Sequence, residues 1–326
     1  MLRNRICAIA FAMLVAGCGY TSATHEPATG VTNPAIDANA RVVWVANYSG
    51  DTLTAYGASS NGNALPAREI AGPNTQLNSP YGISESSGFV YVTNNGIESL
   101  PSVALYAATS NGNVPPTHVI IGAKTGLSEP EGIAVTPQGV IVVADERNDA
   151  VFSFAAGRFG DVKPIREIAG LKTQLGFPCG VAVGGHKIYV TDQSPDSVIE
   201  CRLDSSGDVR PVATITGADT GLQMPCGIEL DKAGDIYVAN AGNNSLTEYG
   251  AASAGDAPPI ATLQGPATML NVPNGVALDE RRNRIYVASQ VDVLTGYDLP
   301  LQNDETPFMA ISGLNTVLDQ PAAVAF

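Results

Sequence analysis

The strongest constraint in this sequence is a motif, G-x-x-T-x-L-x-x-P, that occurs six times at intervals of 47 to 50 residues. The copies begin at Gly72, Gly122, Gly170, Gly217, Gly265 and Gly313. A long period with constant internal spacing is typical of a repeat architecture, because every unit must present its apolar groups to its neighbours in the same way.

Each repeat contains four short strand patterns, as its third copy illustrates. Residues 132–136 alternate apolar and polar side chains, and 140–145 form a continuous apolar run that suits a strand buried on both faces. Residues 150–154 alternate again, and 165–169 form the fourth pattern. Four antiparallel strands in a repeat of this length predict one blade of a β-propeller.

The two ends of the repeat region predict how the ring closes. The region begins after Arg41 with a second strand that has no first strand before it, and it ends with a first strand that has no second strand after it. We therefore expect an all-β, six-bladed propeller over residues 41–326, in which about Ala322 to Phe326 pairs with about Val42 to Ala46. This closure leaves no open terminal edge for aggregation. We also expect a monomer.

The second strands carry a family resemblance. Tyr91-Val-Thr-Asn94 is similar to the signature of the YVTN family of bacterial surface propellers, and Tyr189-Val-Thr-Asp192 is a near-copy. The P-x-G-[IV] starts, such as Pro130-Glu-Gly-Ile133, resemble NHL repeats, whose architecture is shared with gluconolactonase and paraoxonase enzymes. The resemblance implies a propeller, and it implies either a binding scaffold or an enzyme.

The residues before the repeats resemble a bacterial lipoprotein leader. Residues 1–17 contain two arginines, an apolar run and no acid, and they lead into Val15-Ala-Gly-Cys18, which resembles a lipobox. We expect Cys18 to carry lipid and residues 18–40 to act as a flexible tether; an ordinary signal peptide with an incidental cysteine is the alternative. Gly19 follows the cysteine, which by family habit favours the outer membrane of a Gram-negative cell envelope.

The charge balance restricts the partners. The formal net charge is −14, and it becomes −16 without Arg3 and Arg5 of the leader. Nucleic acid and anionic lipid surfaces are repelled by such a chain, so we expect no nucleic acid and contact with a membrane only through the lipid anchor. A cation or a basic partner is attracted.

The propeller contains three cysteines, in two different settings. Cys201 stands in a position of the third strand that is aromatic in the other repeats, which predicts a small buried residue. Cys179 and Cys226 both fill the x of P-x-G in consecutive repeats. A disulfide between them is expected at the mouth of the channel, provided that the channel is narrow enough there.

The x position is also the predicted ligand site. The innermost strand of a blade starts at the mouth of the central channel, so the six x side chains should line one opening. Around the ring these side chains are Tyr81, Glu131, Cys179, Cys226, Asn274 and Ala322. The second strands end at the same face in polar residues, which include Asn94, Asp145, Asp192 and Asn240. Ligand binding is therefore predicted at Tyr81, Glu131 and Asn274 together with these strand ends.

A metal centre is the alternative interpretation of the same face. Glu131, Asp145 and Asp192 offer carboxylate oxygens, the ligands that calcium prefers. Lactonase-like propellers hold a divalent metal in such a mouth, but here Cys179 and Cys226 stand where oxygen or nitrogen ligands are expected. No nucleophile elbow or phosphate-binding loop is present.

Two functions follow as hypotheses. The first is a lipid-anchored, exported propeller that binds a protein, a glycan or a small ligand through its loop face, without a cofactor. The second is a calcium-dependent lactonase- or esterase-like hydrolase.

Overall fold

The structure, a computed structural model, describes residues 41–96 and 100–326. The strands in chain order are β1 (Val42–Asn47), β2 (Thr52–Gly57), β3 (Arg68–Ile70), β4 (Pro80–Ser86), β5 (Phe89–Asn94), β6 (Ser102–Ala107), β7 (His118–Ile121), β8 (Pro130–Val135), β9 (Ile141–Asp145), β10 (Ala150–Phe154), β11 (Arg166–Ala169), β12 (Pro178–Gly184), β13 (Lys187–Gln193), β14 (Asp196–Arg202), β15 (Ala213–Ile215), β16 (Pro225–Leu230), β17 (Ile236–Asn240), β18 (Ser245–Tyr249), β19 (Ala261–Gln264), β20 (Pro273–Asp279), β21 (Arg284–Ser289), β22 (Val293–Asp298), β23 (Met309–Ser312) and β24 (Pro321–Ala325). The predicted leader, lipobox and tether lie outside the described residues, within which no helix is long and apolar enough to cross a membrane.

These strands form six four-stranded antiparallel sheets, and each sheet is one blade. Blade 1 has the strand order β24-β1-β2-β3, and blades 2 to 6 each use four consecutive strands, beginning with β4, β8, β12, β16 and β20. The six-bladed all-β fold is as predicted. Strands β8 to β11 also lie within one or two residues of the patterns in the third repeat.

Ring closure occurs in blade 1, where the carboxyl-terminal strand pairs with the first strand of the propeller. In the antiparallel register, Trp44 lies opposite Ala325, Val45 opposite Val324 and Ala46 opposite Ala323. The prediction of a shared blade is therefore confirmed.

The core is divided into six apolar clusters, one between each pair of neighbouring blades. The second strands are buried along their length because alternate side chains enter the clusters on either side, as Val142 and Val143 do in blade 3. Closure completes two clusters: Val324 packs between blades 6 and 1, and Ala325 packs between blades 1 and 2.

The repeated loop between blades explains the G-x-x-T motif. In the copy at Gly170, the Thr173 hydroxyl donates to the Gly170 carbonyl (2.7 Å) and accepts from Leu175 N–H (3.3 Å). Gly170 has a φ of +122°, and a Cβ there would lie 2.7 Å from the Asp208 side chain of the following blade. Asp208 accepts from Lys172 N–H (2.6 Å), so the glycine leaves room for a bond that ties the two blades together. All six copies have the same Thr-to-Gly bond.

Candidate functional site

The innermost strands approach each other closely around the channel, because glycine follows the x position in five of the six blades. A Cβ on Gly180 would lie 2.0 Å from the Cys226 carbonyl oxygen, and one on Gly132 would lie 2.5 Å from the Cys179 carbonyl oxygen. Backbones this close leave little space between the side chains that precede the glycines. The x side chains of neighbouring blades are therefore brought together.

We call the six x side chains the channel cluster; its members are Tyr81, Glu131, Cys179, Cys226, Asn274 and Ala322. All of these residues except the half-buried Tyr81 are buried. Contacts between these side chains keep most of their surface away from solvent, and ligand binding by them stays a prediction. A cavity of about 280 Å³ lies along the inner strands, from the cluster to Glu85, Glu229 and Glu280 near their carboxyl ends.

Tyr81 connects the members of the channel cluster. Its hydroxyl oxygen lies 3.7 Å from the sulfur of Cys179 and 3.7 Å from that of Cys226. The Asn274 amide donates to this hydroxyl (3.1 Å) and to the Ala322 carbonyl (3.0 Å). One side chain from blade 2 therefore contacts groups from blades 4, 5 and 6, and burial raises the pKa of the Tyr81 hydroxyl.

Cys179 and Cys226 are joined by a disulfide in the structure, with their Cα atoms 5.0 Å apart. This distance is inside the usual range of roughly 4.4 to 6.8 Å, and the bond links blades 4 and 5. Cys201 is a buried free thiol in blade 4. Burial and the neighbouring Glu200 raise its pKa to about 11.

Glu131 is the acidic member of the channel cluster, and only 6% of its surface is exposed. Burial raises its pKa well above the usual range, and the nearby Glu146 carboxyl raises it further. A hydrogen bond between the two carboxyls also raises the pKa of Glu131 and opposes the burial that raises the pKa of Glu146. Glu146 is partly exposed on the loop that follows Asp145.

Beside this acidic pair lies a small aromatic group. The rings of Tyr48 and Tyr81 meet edge to face, with their centroids 5.9 Å apart. Burial raises the pKa of Tyr48, and the nearby Glu129 and Glu131 carboxyls contribute. Glu129 also forms an ion pair with Arg147 (3.0 Å). The face around Tyr81 thus combines aromatic rings with carboxyl groups.

The strand-end residues predicted to bind ligand hold the repeat loops. Asp145 accepts from Ser128 N–H (2.8 Å), and Asp192 accepts from Gly176 N–H (2.8 Å). The equivalent asparagines do the same: Asn94 accepts from Asn78 N–H (3.1 Å), and Asn240 accepts from Gln223 N–H (3.3 Å). All four residues are buried. They act as structural caps that fasten the loop before each first strand.

The three carboxylates of the predicted calcium site are not assembled with one another. In the described part of the chain, the one group of three potential metal ligands consists of Glu131, Cys179 and Cys226, whose ligand atoms lie within 4.8 Å of one another. Asp145 and Asp192 lie outside this group, and their oxygens accept backbone N–H bonds. Burial raises the pKa of Asp192 to about 6 despite these bonds.

Two threonines of the second strands position the channel cluster, and neither belongs to the predicted site. The Thr93 hydroxyl accepts from Gly82 N–H (2.7 Å) and donates to the Glu131 carbonyl of the next blade. Thr191 makes the same bridge to the Cys226 carbonyl. Both threonines belong to the Tyr-Val-Thr-[Asn/Asp] motif, which was the available signal.

The described histidines lie away from the cluster. His118 stacks on Phe159 in the outer part of blade 2 (4.1 Å between centroids), and His186 lies in the turn between β12 and β13. The third, His25, lies outside the described residues.

Comparison with known proteins supports the fold. Residues 127–154 match the NHL repeat family. A chain from the crystal structure of a nidogen/laminin complex aligns with a TM-score of 0.60 and 16% identity over 87% of this chain and 97% of that chain. A functionally unknown protein from Desulfotomaculum acetoxidans aligns with a TM-score of 0.56 and 10% identity, covering 87% and 98%.

A protein of unknown function from Bacteroides caccae aligns with a TM-score of 0.63 and 8% identity, covering 87% of this chain and 97% of its own. No sequence of a curated protein gives a significant match. At these identities the structural likeness shows the propeller fold alone.

Proposed function

We propose that this NHL-type propeller is a non-catalytic scaffold that binds a protein, a glycan or a small ligand through its loop face. The loop face is the surface formed by the described residues of the loops that follow the second strands, 48–51, 95–96, 100–101, 146–149, 194–195, 241–244 and 290–292. We further propose that the chain is exported and held at the cell envelope by lipid on Cys18.

The scaffold proposal rests on one observation: most polar side chains at the channel and at the strand ends already bond to other groups of the protein. The channel-cluster side chains contact one another and are largely buried, and the strand-end side chains fasten the loops, as Asp192 does with Gly176 and Phe177. The side chains left to meet a partner are those on the loops themselves, such as the exposed Arg147 and Val291. A rigid ring that displays short, different loops suits recognition.

The chemistry of the loop face favours a partner with basic groups. The loop residues Tyr48 and Glu146 both lie near the Glu129 carboxyl, which, after burial, contributes to the raised pKa of each. A lysine or arginine side chain gains from both carboxylates and aromatic ring faces. The chain's net charge of −14 attracts such a partner over longer distances. A propeller chain in the nidogen/laminin structure shows that this fold also occurs in protein complexes.

Photo-crosslinking in the producing cells tests the location. A benzoylphenylalanine at Val291, an exposed loop residue of blade 6, is expected to capture the partner. The same group at Arg281, exposed in the opposite turn of the same blade, is the matched control and should capture little. Adducts from Arg281 alone would contradict a loop-face site.

One observation favours the hydrolase as a second candidate. The hydrogen-bonded Glu131 and Glu146 carboxyls supply a buried acid beside Tyr81, which is the kind of pair that acid–base chemistry uses. For calcium, the neighbouring sulfurs of Cys179 and Cys226 replace oxygen ligands. A screen of lactones and aryl esters, with and without chelator, tests this candidate; turnover that Glu131→Gln and chelator both abolish would replace the scaffold proposal.

A further inference from the structure

We propose that the channel cluster has two redox states, and that its reduced state binds a thiophilic metal ion such as zinc through Cys179, Cys226 and Glu131. The ligand atoms of these residues lie within 4.8 Å of one another, and all three side chains are buried. The residues come from three neighbouring blades, so their meeting depends on the close approach of strands β8, β12 and β16. The site is independent of any partner at the loop face.

The oxidised state cannot supply the thiolate ligands, because both sulfurs are engaged in the disulfide. A dithiol reductant converts this state by thiol–disulfide exchange. The Cys179–Cys226 bond breaks, the reductant forms its own disulfide, and its two protons and two electrons pass to the protein as two thiols. Binding of a divalent metal then releases these two protons, because thiolates are the ligands.

The geometry suits a small, tetrahedral ion. Zinc–sulfur distances of about 2.3 Å place two thiolate sulfurs roughly 3.8 Å apart, and the Cα separation of 5.0 Å lets two cysteine side chains reach that spacing by rotation. The Glu131 carboxylate supplies a third ligand. Two sulfurs and one oxygen favour zinc, cadmium or cobalt over calcium and magnesium, which prefer oxygen ligands.

The surroundings support a site that is enclosed but reachable. On the loop side, the Tyr81 hydroxyl lies 3.7 Å from both sulfurs and is held by Asn274. On the other side, Cys179 and Cys226 line the channel cavity of about 280 Å³, through which an ion and a reductant can approach. Thr191 holds the Cys226 backbone, so one ligand is fixed before the metal arrives.

Cobalt serves as the probe, because thiolate–cobalt charge-transfer bands report sulfur ligation directly. The purified full chain is compared as isolated and after reduction by dithiothreitol, with the reductant removed under anaerobic conditions. We expect the reduced protein to bind one equivalent of Co²⁺ with these bands, and zinc to displace it. The oxidised protein should show no such bands.

Variants assign the ligands. Cys226→Ser should abolish the bands, and Cys201→Ser, which removes the buried thiol outside the cluster, should leave them unchanged. Glu131→Gln should weaken Co²⁺ affinity at least tenfold, and Glu200→Gln, at another buried glutamate, should not. Folding of each variant is followed by near-ultraviolet circular dichroism.

Alkylation provides a second measurement that does not depend on variants. In the reduced wild type, zinc should slow alkylation of Cys179 and Cys226 at least tenfold, as mapped by mass spectrometry. Absence of both the bands and this protection would overturn the proposal. So would loss of the folded signal on reduction that zinc does not restore, or bands that persist in Cys226→Ser.

Discussion

At the scale of single residues, the ends of the second strands use two different side chains for one structural task. Asp192 accepts N–H bonds from Gly176, Phe177 and Ser194, and Asn240 accepts from Gln223 at the equivalent place in the next blade. Asparagine makes this bond without a charge, whereas aspartate must be ionised or protonated in a buried position. The choice therefore affects the pH dependence of stability.

Asp192→Asn is expected to remove part of that pH dependence. Because the folded pKa of Asp192 is about 6 and its ordinary value is 3.8, ionisation costs stability as pH rises between these values. The variant should gain about 2 kcal/mol relative to wild type between pH 4 and pH 7, since the unfolded carboxyl is already partly ionised at pH 4. Urea unfolding across this range measures the difference.

The reverse substitution is the matched control. Asn240→Asp should introduce a loss of stability with rising pH in the same range, because it places a carboxyl in the equivalent buried site. Parallel pH profiles for wild type and Asp192→Asn would show that the carboxylate is not penalised by burial.

At the scale of elements, the inner strands show why the P-x-G motif is needed. Their glycines allow one strand to lie against the backbone of the next, and this contact brings the x side chains into the channel cluster. Thr93 and Thr191 of the second strands then bridge Gly82 and Gly180, respectively, to the following blade. The motif therefore determines the channel width as well as the local strand start.

Gly180→Ala is expected to destabilise the propeller by about 3 kcal/mol or more, since the added methyl group would overlap the Cys226 carbonyl oxygen and force β12 from β16. Gly250→Ala is the control, because the nearest atoms to its added Cβ lie 3.9 Å away. The control should change stability by about 0.5 kcal/mol or less. Guanidinium unfolding compares the two, and equal stabilities would refute the close-packing explanation.

At the scale of the whole molecule, the ring is held by strand pairing across the two ends of the described region. Strand β24 provides the inner strand of blade 1 and contributes Val324 and Ala325 to two inter-blade clusters. These contacts are formed by residues nearly the whole sequence apart, so closure couples the stability of all six blades.

Deletion of residues 319–326 should therefore destabilise the entire propeller rather than one blade. The loss exposes one edge of β1 and opens the clusters on both sides of blade 1. We expect a lower and broader thermal transition by circular dichroism, or failure to fold. A transition at the wild-type temperature would be incompatible with closure by β24.

Lipid on Cys18, which lies outside the described residues, would attach the whole molecule to a membrane. Cys18→Ala should leave the propeller folded and should release it from the membrane fraction or block processing, because the thioether-linked lipid can no longer form. Fractionation and intact-mass analysis measure both effects. A mature protein that retains residues 1–17, or that carries an unmodified Cys18, would exclude the lipobox interpretation.

Much of the fold was predictable from the sequence because repeated blades carry repeated local patterns. The glycine and threonine that occupy the Gly170 and Thr173 positions recur in every copy, which predicts one loop conformation used six times. The unpaired strand patterns at the two ends predict closure between β24 and β1. These inferences need only strand periodicity and spacing, which are local properties. The identities at the x position also indicated correctly which side chains meet at the channel.

The arrangement of the x side chains at the channel depends on the tertiary structure. How near the inner strands approach depends on packing across six blades, and this packing makes Tyr81, Glu131 and Asn274 members of one largely buried cluster. Likewise, the sequence pattern of an aspartate at a strand end does not distinguish a side chain that binds a ligand from one that caps a loop. Only the fold places the Asp145 and Asp192 carboxylates against backbone N–H groups, because those donors come from loops about 16 residues earlier in the chain.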